Sequence, residues 1–142
     1  MSDVDDLTER VEGIVHEETQ RHEAGLDLTV AAIYDVDGSG AIDFGGDELD
    51  AAVTSPRASN LRHPDDDYEW WELPGGTYLV EYNETLSTDE PLLCQPRSEL
   101  LERGGVHPTL FVSELGRVPL SVPPAGLDLK ENARVSTLRS VR

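Results

Sequence analysis

The sequence predicts a mainly-β protein, a sandwich or barrel of short strands. Apolar runs recur at 92–94, 109–113, 118–122, 127–129 and 133–138, separated by Pro96, Pro108, Gly116, Pro123, Pro124 and Gly126. Upstream, "LDLTVAAIY" and "TYLVEYNETL" are rich in β-branched and aromatic residues with near-alternating polarity. Both textures suit strands bounded by turns, and their spacing is that of an all-β fold.

The elements follow in order. In "DVDDLTERVEGIVHEETQ", residues 3 to 20, Leu7, Val11, Ile14 and Val15 stand at helical spacings with acids opposite. This predicts an amphipathic N-terminal helix within residues 1–22, capped by Ser2 or Asp3. A β core over 25–138 comes next. Leu26, Leu28, Val30 and Tyr34 roughly alternate, and "AIDF" follows a Gly-rich turn, a hairpin pattern.

The turn itself, "DVDGSGAIDF", also matches the first nine positions of an EF-hand calcium loop, through Asp35, Asp37, Ser39, Gly40 and Asp43. Its twelfth position, where a bidentate Glu belongs, is Gly46, and the segment entering it is strand-like. Although "DELDAAV" on the exit side has helical character, the stretch reads as a hairpin reversing at Gly38 and Gly40. Residues 54–68 read as a polar surface loop. After "PGG" comes the clearest strand, with Tyr78, Val80 and Tyr82 on one face.

One short helix, near 99–103 and closed by Gly104, interrupts the β texture. Ser98 sits at its cap position and Arg97 just before it. A helix start offers unpaired N–H groups, and an adjoining Arg can grip phosphate oxygens in bidentate fashion. An ordinary capped helix with a surface Arg accounts for the same local pattern.

Length and composition bound the function. At 142 residues the chain is one domain's worth. It carries 29 acidic residues against 11 basic ones, for a formal charge of −18, and Lys130 is its single lysine. Such a surface repels phosphate backbones, which excludes general nucleic-acid binding. The acids are scattered, so they do not form an interaction tail. Acid excess with almost no lysine suits a halophile's cytoplasmic protein, kept soluble by charge in concentrated salt. Cys94 is the only cysteine, and no signal peptide or membrane-length apolar run is visible. A soluble protein with no membrane partner is expected.

Other signals are weaker. "HEETQRH" has Gln20 where a zinc protease's second His is needed, so zinc is not expected there. Cys94 reads as a buried structural thiol. His107 is a candidate substrate contact, against the plainer reading of a packing histidine. Of Trp70 and Trp71, one is expected to anchor the core or a subunit interface.

The order of segments adds a resemblance. "GLDLTVAAIYDVDGSGAIDF", "PGGTYLVEYNETL", "PRSELLERGG" and "GLDLKENARVSTL" resemble, in family order, the motifs of the dUTPase and dCTP deaminase superfamily, particularly its archaeal branch. The resemblance implies a jelly-roll-like β-clip barrel, a homotrimer with active sites between subunits, and a deoxynucleoside triphosphate substrate with magnesium. By matching position, Asp27 takes the place of the acid near the metal-bound triphosphate, and Arg97 and Ser98 that of the phosphate contacts. The family's "D-x-G-Y-x-G" motif, whose Asp activates water in dUTPases, is missing from "HPTLFVSELGRVPLSV". Glu114 is the carboxylate left to act as general base. The deaminases' catalytic Glu has no counterpart, Glu99 replaces a small residue beside Ser98, and Ser136-Thr137 stands in for Ala-Gln. The reading is a dUTP pyrophosphatase, or a related dCTP deaminase-type enzyme. Its alternative is a catalytically eroded protein of the same fold that keeps nucleotide binding or a structural role.

Overall fold

The computed structural model describes residues 3–141. The chain runs α1 (Asp3–Thr8), β1 (Val11–Glu12), α2 (Glu17–Gln20), β2 (Arg21–His22), β3 (Gly25–Gly38), β4 (Val53–Pro56), β5 (Trp70–Leu73) and β6 (Gly76–Tyr82). It continues through β7 (Thr85–Leu86), β8 (Leu92–Pro96), α3 (Ser98–Glu102), β9 (Leu110–Val112), β10 (Val118–Val122), β11 (Leu127–Lys130) and β12 (Arg134–Arg139). The short strands expected from the punctuated apolar runs are thus β8 to β12.

An antiparallel sheet in the order β10-β6-β3-β12-β8-β9 forms the body, and β2 and β4 also pair with β3. Two small pairs, β1 with β7 and β11 with β5, complete it. The 14-residue β3 joins the two halves of the sheet. Its first half, Leu26 to Thr29, lies opposite β12, and its second half, Val30 to Asp35, opposite β6. Register shifts between Val30 and Ala32, and between Arg134 and Ser136, mark where the ladder bends. The mainly-β, barrel-like class expected from the sequence is the one observed. Leu26, Leu28, Val30, Cys94, Leu120 and Leu138 meet at its centre, each fully buried, and Tyr78, Val80 and Tyr82 share the buried face of β6.

Three expectations change. No continuous helix spans the N-terminal segment: α1 stops at Thr8, and Val11 pairs with Leu86 of β7. Gly13 adopts φ +81°, a conformation that ends a helix, and a Cβ there would come within 2.7 Å of the Asn83 carbonyl oxygen. The caps expected at Ser2 or Asp3 lie outside the described residues and side chains.

The hairpin does not reverse at Gly38 and Gly40. Instead β3 continues to Gly38, which pairs with Val53, so residues 39–52 form a long excursion. A bridge between Ala41 and Asp50 holds it, as does the Asp43 carboxylate, which accepts from the backbone N–H groups of Gly46 and Glu48. "DELDAAV" is not helical. Asp35 pairs with Arg57 at 2.9 Å and Asp37 accepts from the Ser55 hydroxyl, so these side chains lie along a strand rather than around a centre.

Finally, the expected surface loop over 54–68 begins inside β4, and the Trp70-Trp71 segment after it is a strand on β11. Trp71 is the core anchor, with its indole N–H on the Arg57 carbonyl, while Trp70 lies half-buried under the Arg62 guanidinium. No helix among the described residues is long and apolar enough to cross a membrane.

A candidate anion site around Asp27

Alternation along β3 sends Leu26, Leu28 and Val30 to the apolar core, and Asp27 and Thr29 to the opposite face. On a one-sided sheet that face would be wet, yet Asp27 is 0% and Thr29 2% exposed. The N-terminal segment covers them: Gln20 donates to the Asp27 carbonyl at 2.9 Å and His22 reaches its carboxylate.

A buried carboxylate needs compensation, and among the described residues Asp27 has three hydrogen-bond donors and, in Arg97, a further ion-pair partner. Oδ1 accepts from His22 Nε2 at 2.7 Å and Thr137 Oγ1 at 2.8 Å. Oδ2 lies 3.2 Å from Arg97 Nε and 3.1 Å from Arg134 Nη1. The histidine tautomer follows from its partners. The Ala24 N–H donates to Nδ1, so the proton sits on Nε2, facing Asp27.

Arg97 is held from behind. Its Nε faces Asp27 and its Nη1 donates to the Arg134 carbonyl at 3.2 Å, which leaves Nη2 pointing outward. The Glu99 carboxylate meets it there, with Oε2 at 2.9 Å from Nη2 and Oε1 accepting from the Ser98 hydroxyl at 2.9 Å. The Ser98 hydroxyl, helped by the Glu99 backbone N–H and the Arg97 charge, holds the Glu99 carboxyl below its ordinary range. The helix begins one residue earlier than expected, with Arg97 at the cap position and no side-chain cap bond, since a guanidinium has no acceptor to offer; Ser98, inside the helix, gives its hydroxyl to Glu99. Gly104, at φ +85°, follows its end.

The structure thus brings Asp27, Arg97 and Ser98 together but not the other two predicted site residues. His107 is 4% exposed, in the core. Its Nδ1 faces the Pro108 carbonyl at 2.8 Å, and so carries the proton, leaving Nε2 to accept from Ser136 Oγ at 2.7 Å. Ser136 in turn accepts from the Tyr82 hydroxyl, 2.6 Å away, and Cys94 lies beside that hydroxyl. Burial lowers the His107 pKa and raises those of Tyr82 and Cys94. This is a packing histidine in a neutral chain, and Cys94 is the buried thiol that its isolation suggested.

Glu114 is exposed on the β9–β10 connection. Because β9 runs antiparallel to β8, Val112 lies opposite Leu92, and the chain then leads away from Arg97. Leu92 lies five positions before Arg97, about 16 Å at the usual rise along a strand.

The residues do not form a ready magnesium site. No group of three or more metal-ligating side chains exists among the described residues. Asp27, expected beside the metal, has both oxygens engaged by guanidinium, imidazole and hydroxyl groups, so an ion could bind it only by displacing them.

Arg134, His22 and Gln20 were missed as site residues by sequence reasoning, and Thr137 was noted only as a departure from the family pattern. Of these, Arg134 had a signal, since it sits in the closing motif "NARVSTL" beside the singled-out Ser136-Thr137.

No family model matches the chain. It is 35% identical over 135 residues to a protein of Methanosarcina acetivorans named probable deoxyuridine 5′-triphosphate nucleotidohydrolase, covering 90% of this chain and 75% of that one. A protein of Methanosarcina mazei with the same name is 34% identical over the same shares. One from Methanosarcina barkeri is 34% identical over 96 residues. With motif order, fold and these relatives in agreement, the chain belongs to the deoxyuridine 5′-triphosphate nucleotidohydrolase (dUTPase) family.

Proposed function

We propose that the protein binds a deoxynucleoside triphosphate through the Arg97–Ser98 corner and hydrolyses dUTP to dUMP and diphosphate. The observation that carries this is the buried Asp27 carboxylate, which fixes two guanidinium groups side by side. Arginines anchored in this way keep their orientation when a phosphate arrives, so little order is lost on binding. Beside them, a depression of about 210 Å³ lined by Trp70, Leu100, Leu127, Leu129, Glu99 and Arg134 offers apolar surface to the nucleoside.

The reaction consumes one water and cuts the α–β phosphoanhydride bond, and a carboxylate must take the water's proton. Glu114 is our candidate for that base. Within one subunit β9 leads away from Arg97, so in this reading the carboxylate is supplied by another copy, as in a homotrimer with sites between subunits. Magnesium would arrive on the triphosphate oxygens, retaining waters, as this ion prefers. Asp27 acts as a positioning residue that holds Arg97 and Arg134. The protein works in the cytoplasm at high salt, with no nucleic-acid or membrane partner.

One feature favours a second reading, in which nucleotide binding outlives catalysis: "HPTLFVSELGRVPLSV" lacks the family's water-activating Asp motif. A panel of deoxynucleoside triphosphates in molar potassium chloride with magnesium, resolved by chromatography, separates the two. dUTP should yield dUMP and diphosphate. Thermal stabilisation by dUTP without product would mark the second reading, and deaminated product from dCTP would replace both.

A further inference from the structure

We propose that the Glu99 carboxylate occupies the phosphate position of the Arg97–Ser98 site as a built-in competitor, which an incoming triphosphate must displace. The inference rests on the phosphate-binding reading above and adds what fills the site beforehand.

The geometry of Arg97 makes the case. Two of its nitrogens face inward, to Asp27 and the Arg134 carbonyl, and cannot turn to a ligand without uncovering a buried charge. Nη2 is the corner that can exchange partners, and Glu99 Oε2 sits on it. The other oxygen takes the Ser98 hydroxyl. A guanidinium N–H and an adjacent hydroxyl, each given to an oxygen of one planar anion, are the donors that a phosphoryl group would use. Glu99 comes from the same turn as its partners, so it binds at high effective concentration. Its side chain is 50% exposed, whereas that of Arg97 is 16% exposed. It can therefore swing into solvent while the arginine stays fixed, and exposed ion pairs are weak enough to exchange. A carboxylate left in place would face the phosphate with like charge. The effect is to discriminate against ligands that present only a weakly charged oxygen.

The experiment compares calorimetric binding of inorganic tripolyphosphate and dUTP to the full chain and to Glu99→Gln, Glu99→Ala and Arg97→Ala, at fixed potassium chloride and magnesium. Circular dichroism verifies folding. Both Glu99 variants should bind tripolyphosphate about tenfold tighter, whereas Arg97→Ala should weaken it. Unchanged or weaker binding by both Glu99 variants, with Arg97→Ala still weakened, overturns the competitor role and leaves the phosphate site standing. If Arg97→Ala also binds like the parent protein, the phosphate site falls, and the competitor falls with it.

Discussion

Two buried carboxylates a few residues from one another in space, Asp27 and Glu84, are compensated in opposite ways. Asp27 meets two guanidinium groups, a histidine and a hydroxyl. Glu84, 1% exposed, meets only neutral donors: the Thr29 N–H at 2.8 Å, the Thr29 hydroxyl at 2.6 Å and the Gln20 amide at 2.8 Å. Gln20 touches both, through the Asp27 carbonyl and the Glu84 carboxylate, so the N-terminal segment is pinned over the two at once. The difference lies in where the compensation leads. Neutral donors close a carboxylate into the fold, whereas arginines carry its influence outward to Ser98 and Glu99, where the proposed triphosphate would be met.

Asp27→Asn tests the larger side of the contrast. It keeps the shape but leaves two guanidinium groups without their buried counter-charge, and breaking such a pair costs about 3–5 kcal/mol. The denaturant midpoint should fall accordingly, and triphosphate binding should go with it because Arg97 loses its rear anchor. A loss below about 1 kcal/mol with binding intact would show that Arg97 and Arg134 do not depend on Asp27. Glu84→Gln should cost less, about 1–3 kcal/mol, since a neutral amide still accepts one bond but presents an N–H to the Thr29 donors. It should leave tripolyphosphate affinity unchanged in the folded protein. Should Glu84→Gln weaken that affinity as much as Asp27→Asn does, the division into a closing and a ligand-facing carboxylate collapses.

How much of this the sequence carried depends on what sets each feature. Strands β8 to β12 were legible because proline and glycine bound each apolar run. The Arg97–Ser98 corner was legible because its residues are adjacent in the chain. The N-terminal segment was not. Leu7 and Val11 stand at helical spacing and are both buried, but Gly13 and the pairing of Val11 with Leu86 outweigh a pattern only a few turns long. The Asp27 cluster was half legible. Local alternation assigns Asp27 to a solvent face, and only the long-range arrival of His22, Arg97 and Arg134 makes it a buried anchor. The closing motif held Arg134, yet nothing in its neighbourhood shows that its guanidinium lies over β3. The excursion at 39–52 misled because its glycines suggest a tight reversal, while the register of β3 against β4 places the turn further along.

His107 sharpens the contrast at its smallest scale, since it is a buried titratable group whose partners are all neutral. Desolvation lowers its pKa, opposed only in part by the Pro108 carbonyl. Protonating Nε2 would remove the acceptor of the Ser136 hydroxyl and place a charge in a core position that has no carboxylate partner. In the unfolded chain the same histidine titrates near its ordinary value of about 6.5. The stability that depends on the neutral ring is therefore complete above that pH, and is lost as pH falls through the lowered folded value. Thermal melts at fixed high salt should show the midpoint dropping by a few degrees over that window. In His107→Gln, whose side-chain oxygen can still accept from Ser136, this part of the slope should vanish, although the variant is less stable at neutral pH. An identical slope in the two proteins would show that the acid sensitivity does not come from His107.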